Sequence, residues 1–164
     1  MARHLPVIQT PDPEDLEAEQ RSPGNWVLVG ALLAFTIWLP LLLIAQYVSA
    51  KWVLSLAEQA SPGVAQVAIA QLGPILASLG IANASAGALV GRFGGRARAA
   101  QAALAGALMA AVVSVFTLIM GVFPSLLAAL PALLVLLVVS AACAALGGWF
   151  GVKRRPNAAA LLRK

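Results

Sequence analysis

Charged residues, cysteine and histidine are scarce in this chain, and each scarcity excludes a kind of chemistry. Asp, Glu, Lys and Arg make up 10% of the 164 residues, against roughly 25% in a typical soluble domain. The one cysteine, Cys143, has no second thiol with which to form an intramolecular disulfide or a cysteine-cluster metal site. The one histidine, His4, lies in the polar N-terminal segment. We therefore expect no metal site and no cofactor.

The residue combinations of catalysis and ion coupling are missing as well. Nucleophilic catalysis needs a Ser or Cys beside a general base, and Glu58 is the only carboxylate expected on the far side of the membrane. The four apolar spans contain no Asp, Glu, Lys, Arg or His, which are the residues that pumps, proton relays and voltage sensors use. Cys143, inside one of those spans, is expected to be a packing residue. The sequence therefore favours a protein that is not an enzyme.

Apolar residues, in contrast, are abundant. They make up 61% of the chain, with a mean hydropathy of +0.90, and a soluble fold could not cover that much apolar surface. Four uncharged runs each exceed the roughly 20 residues that a helix needs to cross the hydrocarbon core. They lie at about 26–50, 64–90, 99–122 and 126–152. The sequence predicts an all-α, polytopic integral membrane protein with four transmembrane helices arranged as two hairpins.

The two ends of the chain differ from this apolar region. Residues 1–24 hold five of the six acidic residues and four prolines, a composition typical of a disordered tail. Residues 153–164 form a basic tail. A cleaved signal peptide ending near Ala50 is disfavoured, because its apolar region would be too long and its leader is acidic.

Lysine and arginine are distributed unevenly between the spans. With both termini in the cytoplasm, ten of the eleven basic residues are cytoplasmic and only Lys51 is not. Because cytoplasmic loops carry an excess of positive residues, we expect both termini to be cytoplasmic. Trp26 and Trp149 then fall at the inner boundary and Tyr47 and Trp52 at the outer one, where amphipathic rings prefer to lie.

The segment after the second span is rich in glycine and arginine. Its pattern Gly-x-x-x-Gly-Arg-x-Gly-Gly-Arg, from Gly87 to Arg96, resembles the end of a hairpin in small bacterial membrane proteins of unknown role. The resemblance implies a bacterial cytoplasmic membrane and no particular activity. Gly87 and Gly91 also recur 60 residues later as Gly147 and Gly151, through either duplication of a hairpin or coincidence.

The second span has two faces suited to helix association. Glycines recur every seven residues on one narrow side, and Gln71, Ser78 and Ser85 form a polar stripe on nearly the opposite side. In lipid, small residues let backbones approach, and polar side chains form hydrogen bonds between helices. The predicted packing residues are Gly73, Gly80, Gly87, Gly91, Gly106, Gly147 and Gly151.

The polar stripe leaves two interpretations open. It packs between neighbouring helices of this chain, as serine often does in membranes, or it lines a polar path or recognises a partner helix. The favoured function is a non-catalytic small membrane subunit or scaffold that packs against partner transmembrane helices. The alternative is a passive channel or transporter component for a neutral or weakly polar solute. An intramembrane enzyme is least favoured, because a base is missing.

Basic residues also follow the second and fourth spans, which the topology brings to one face of the membrane. Because they flank apolar spans rather than lining a polar face, we expect no nucleic-acid partner despite the net charge of +5. The expected partners are the bilayer, anionic lipid, and a membrane protein or a second copy of the chain. Orientation alone is the other explanation of this charge. The candidate lipid contacts are Arg92, Arg96, Arg98, Lys153, Arg154 and Arg155.

Overall fold

The protein's structure, a computed structural model, describes residues 23–58, 61–94, 97–121 and 125–154. Within these ranges there is no strand and there are four helices, namely α1 (Pro23–Ala57), α2 (Val64–Phe93), α3 (Ala99–Ile119) and α4 (Leu126–Lys153). Each helix is long and apolar enough to cross a membrane. The predicted all-α, four-helix membrane architecture is therefore confirmed.

Small residues form the interior and large apolar residues form the surface. Most of the buried hydrophobic residues are alanines, such as Ala82 and Ala110, whereas Leu43, Leu134 and Val138 are exposed. A water-soluble bundle would bury its leucines and valines. Without a hydrophobic drive between helices, a membrane bundle instead places small residues where its helices meet. This distribution identifies an integral membrane protein independently of the overall composition.

The four helices pack around a square. α1 packs against α2 and α3, α4 packs against the same two helices, and α2 and α3 touch across one diagonal. In the described part of the chain, α1 and α4 make no contact across the other diagonal. The most extensive contact joins α2 and α4, which belong to different hairpins. This contact joins the two hairpins, together with those of α3 with α1 and α2.

Several helix ends differ from the predicted spans. The described part of α1 starts at Pro23, within the segment predicted to be a disordered tail. It continues to Ala57 rather than to residue 50, because proline and glycine are absent from its last turns. α2 likewise extends to Phe93 rather than to residue 90. The remaining residues of the predicted tails, 1–22 and 155–164, lie outside the described residues.

Glutamine side chains and a glycine define further helix ends. The backbone N–H of Gly63 donates to Gln66 Oε1 at 3.2 Å, and that of Arg98 donates to Gln101 Oε1 at 2.8 Å. Each bond satisfies a backbone donor before the first turn of a helix. α3 ends earlier than predicted because Gly121 adopts a φ of 65°, a left-handed conformation that glycine tolerates and that ends helices.

Contacts between helices show which residues lie at the same height along the axis of the bundle. Gly148 lies against both Ala99, where α3 begins, and Gly91 of α2. From this level α3 rises about 30 Å, the thickness of the hydrocarbon core. An equal rise along α2 reaches Gln71, whose carbonyl oxygen accepts a hydrogen bond of 3.0 Å from Ser49 Oγ of α1. Counted at about 1.5 Å per residue, residues 50–57 of α1 and 64–70 of α2 extend beyond the last turn of α3, and we call them the projecting hairpin.

Candidate functional site: the contact between α2 and α4 and the groove beside it

α2 and α4 meet backbone to backbone. A Cβ atom at Gly87 would overlap the carbonyl oxygen of Ala144, and one at Gly91 would overlap that of Gly148. The Cα–H bond that replaces each side chain therefore points at a carbonyl oxygen of the other helix. Such Cα–H···O contacts contribute about 0.5–1 kcal/mol each. Only glycine allows the backbones to approach this closely.

The same contacts occur with the helices exchanged. Gly147 lies against the carbonyl oxygen of Ala84. When 60 is subtracted from the α4 numbers, this contact and that of Gly87 with Ala144 both join positions 87 and 84. The contact is therefore isologous, like the interface of a two-fold symmetric dimer of parallel helices, but it lies within one chain. The other exchanged pair is Gly151 with Ala88.

The predicted packing glycines divide into close and loose contacts. Gly106 of α3 is a further close contact, because a Cβ there would overlap the carbonyl oxygen of Ser140 in α4. Gly80 is looser, since a Cβ would lie 3.4 Å from Cys143 Sγ, at an ordinary contact distance. A Cβ at Gly73 would meet no neighbouring helix among the described residues. Close packing is thus concentrated toward the ends of α2 and α4 that carry arginine.

Gly30 and Gly148 also bring helices together, and of these Gly30 was not among the predicted packing residues. Gly30 of α1 lies against the side chains of Ala105 and Val90, and Gly148 lies against Ala102 of α3. Gly30 is an isolated glycine in a leucine-rich span, so a search for repeats does not find it. A glycine among large apolar residues is itself the signal that could have indicated this contact.

The three residues of the predicted polar stripe have different surroundings. Gln71 is exposed, and Ser78 is buried, with its hydroxyl donating to the carbonyl oxygen of Ile75 at 2.7 Å. Ser85 is half-buried and lines a groove near the ends of α2 and α4. Their spacing of seven residues therefore places them on one side of α2, but they share no neighbour among the described residues.

The bundle interior contains polar atoms that lack partners. In the described part of the chain, the buried atoms Asn83 Oδ1, Ser140 Oγ and Trp38 Nε1 have no hydrogen-bond partner. Asn83 Nδ2 does have partners, the carbonyl oxygen of Leu79 at 3.0 Å and Met109 Sδ at 3.6 Å. Asn83 and Ser140 each lie four residues before the contacting pair Gly87 and Ala144, so the same register places them opposite each other. An unsatisfied buried polar group costs about 1–3 kcal/mol.

Basic side chains gather at one end of the bundle, which we call the basic end. Lys153 Nζ lies 3.5 Å from the centroid of the Trp149 ring, a cation–π contact typical of a membrane interface. Two of the predicted lipid contacts, Arg96 and Arg155, lie outside the described residues. The described and exposed members are Arg92, Arg98, Lys153 and Arg154.

A groove of about 600 Å³ lies between α2 and α4 at the basic end. Arg92 and Arg154 line it together with the hydroxyl-bearing Ser85. Apolar and aromatic side chains supply the rest of the wall, so that the groove is charged at the helix ends and apolar toward the bundle. We call it the basic groove; its other lining residues are Ala88, Leu89, Phe93, Phe150 and Gly151.

Acidic residues and cysteine are rare among the described residues. They contain no group of three or more His, Cys, Asp or Glu residues that could hold a metal ion. Glu58 is the sole acidic residue among them, and Cys143 is a free thiol beside Gly80. No protein-family model, no curated protein and no solved structure matches this chain.

Proposed function

We propose that the chain is a non-catalytic membrane subunit, a four-helix scaffold that packs against transmembrane helices of a partner protein. The projecting hairpin carries the proposal. Its side chains Leu54, Val64 and Ile69 are 62%, 88% and 59% exposed, and they lie beyond the level at which α3 ends. With the hydrocarbon core placed along the length of α3, these exposed apolar side chains lie outside it, where a partner protein would cover them.

The rest of the bundle suits the role of a scaffold. The glycine contact fixes α2 against α4 and thereby holds the two hairpins at one register. Gln71 adds an exposed amide at the base of the projecting hairpin, where a partner helix would accept or donate a hydrogen bond. Such bonds contribute about 0.6 kcal/mol on average in membranes, so a partner gains orientation there more than affinity.

Photo-crosslinking in intact membranes tests the scaffold function. Benzoylphenylalanine replaces Leu54 in the projecting hairpin or, as a matched control, Leu134 of α4, which is 60% exposed. We expect position 54 to crosslink to another membrane protein, identified by peptide mass spectrometry, and position 134 to crosslink to lipid. The Ile69→Ser variant should weaken the protein adduct. Lipid adducts alone at both positions would refute the scaffold proposal, and an adduct to a second copy would replace it with self-association.

The proposed location is a bacterial cytoplasmic membrane with the basic end and both termini in the cytoplasm. The charge distribution supports this orientation, because the described basic residues other than Lys51 lie at that end. Reporter domains inserted after Gln59 and fused after Lys164 should report opposite sides of the membrane. A C-terminal reporter outside the cytoplasm would contradict the orientation.

A passive path for a neutral solute is the second proposed function. The unpartnered atoms of Asn83, Ser140 and Trp38 in the bundle interior support it, because polar groups inside a membrane protein often mark a pathway. Proteoliposomes loaded with glycerol or urea should then release the solute faster than protein-free liposomes loaded with the same solute. Asn83→Leu should slow that release. Equal release from both kinds of vesicle would refute the path.

A further inference from the structure

The basic groove combines two kinds of surface that a phospholipid also combines. Arg92 and Arg154 lie at the ends of α2 and α4, and Phe93 and Phe150 lie beside them. Ser85 is seven residues from Arg92 along α2, which is about 10 Å toward the middle of the membrane. The groove is therefore basic at the level of lipid headgroups and apolar at the level of acyl chains.

The two arginines have no carboxylate partner in the part of the chain that the structure describes. The one described acidic residue, Glu58, follows α1 at the opposite end of the bundle. Arg92 is placed over the ring of Phe93, with its guanidinium carbon 5.5 Å from the ring centroid. Planar guanidinium groups bind phosphate through paired hydrogen bonds. A phosphate group is the anion that a bilayer supplies at this level.

We propose that the basic groove binds one anionic phospholipid of the surrounding bilayer. Arg92 and Arg154 hold its phosphate, and an acyl chain lies against Leu89, Phe93 and Phe150. A zwitterionic lipid is disfavoured, because its cationic headgroup would be repelled by the same two arginines. The site is independent of the scaffold function, since it lies at the opposite end of the bundle from the projecting hairpin.

The position of the groove gives this lipid a structural consequence. Gly151, one of its lining residues, also lies against Ala88 in the close contact between α2 and α4. A lipid seated there contacts both helices where their backbones meet, and its phosphate joins the ends of both. Since a ligand that binds only the folded state stabilises that state, the anionic lipid should raise the stability of the bundle.

Lipid retention by the full-length chain tests the site. The protein is reconstituted with mixtures of phosphatidylglycerol and phosphatidylcholine, extracted in mild detergent, and examined by native mass spectrometry. We expect preferential retention of one phosphatidylglycerol. Arg92→Gln and Arg154→Gln should each lower it about fivefold, as follows from roughly 1 kcal/mol per basic residue. Arg98→Gln is the matched control, because Arg98 is exposed at the same end but does not line the groove.

The apolar half of the site has its own variant and control. Phe150→Ala removes part of the wall and should also lower retention severalfold, whereas Leu146→Ala, one turn away on α4 and outside the lining, should not. An effect of Arg98→Gln equal to that of Arg92→Gln would show diffuse attraction and overturn the site. Equal retention of phosphatidylcholine, or no effect of Phe150→Ala, would overturn it as well.

Discussion

The two halves of α2 carry glycines at the same spacing but pack differently. Near the basic end, Gly87 and Gly91 lie against the backbone of α4, whereas toward the projecting hairpin Gly73 meets no neighbouring helix among the described residues. The difference comes from α4. Its residues 144–151 include three glycines and two alanines, but residues 133–139 are all leucine or valine, whose side chains hold the backbones apart. A glycine seam therefore becomes a close contact only where the facing helix is also small.

The largest expected effect comes from placing leucine in each half of α2. Gly87→Leu should lower the free energy of unfolding by at least about 3 kcal/mol, because its side chain must displace the backbone of α4. Gly73→Leu should change it by less than about 1 kcal/mol, because a Cβ there would contact only Ile69 of its own helix, at 3.8 Å. Titration with sodium dodecyl sulfate from a mild detergent measures both. Equal losses in the two variants would show that the halves pack alike.

Smaller losses of stability test the two-fold symmetry of the close contact between α2 and α4. Gly87→Ala and Gly147→Ala introduce the same methyl group at exchanged positions, so each should cost about 1–3 kcal/mol and the two costs should agree. Once one methyl group has separated the helices, the second should cost less, so the double variant should be less destabilised than the sum. Fully additive losses would mean that the two contacts are independent.

The sequence was sufficient for the four helices, and it marked the glycines at which α2 and α4 approach, but it did not predict that these two helices meet. Uncharged runs of more than 20 residues are a strong signal in lipid, and Gly87, Gly91, Gly147 and Gly151 stand before basic residues at matching positions. The looser packing of the α2 half that contains Gly73 could not be predicted from α2 alone, because it depends on which face of α4 lies opposite. Periodicity places residues on the faces of one helix, whereas packing also depends on the residues of the helix that lies opposite.

The polar residues show the same limit. Equal spacing predicted a common role for Gln71, Ser78 and Ser85, but the burial of each depends on neighbours that differ along α2. Asn83 lies on the side of α2 that meets Met109, and its position does not follow the seven-residue spacing of Gln71, Ser78 and Ser85. The length of α1 was also missed, because a hydropathy criterion marks where a span leaves the membrane and not where the helix ends.

Removing polar atoms from the interior should have a modest effect. Asn83→Leu loses the two hydrogen-bond contacts of Nδ2 and also removes the unpartnered Oδ1. Because these changes oppose each other, the free energy of unfolding should change by less than about 1.5 kcal/mol, with Ser140→Ala smaller still. A loss above about 3 kcal/mol on either substitution would mean that these atoms have partners in the membrane, such as an ordered water.

The smallest expected effect lies at the border between the two halves of α2. A Cβ atom at Gly80 would lie 3.4 Å from Cys143 Sγ, so alanine fits without moving α4. Alanine also favours the helix over glycine by up to about 1 kcal/mol. Gly80→Ala should therefore leave the unfolding free energy unchanged or raise it by less than about 1 kcal/mol, while Gly87→Ala in the same titration lowers it. If Gly80→Ala destabilises the bundle as much as Gly87→Ala, the close contact extends at least one further turn along α2.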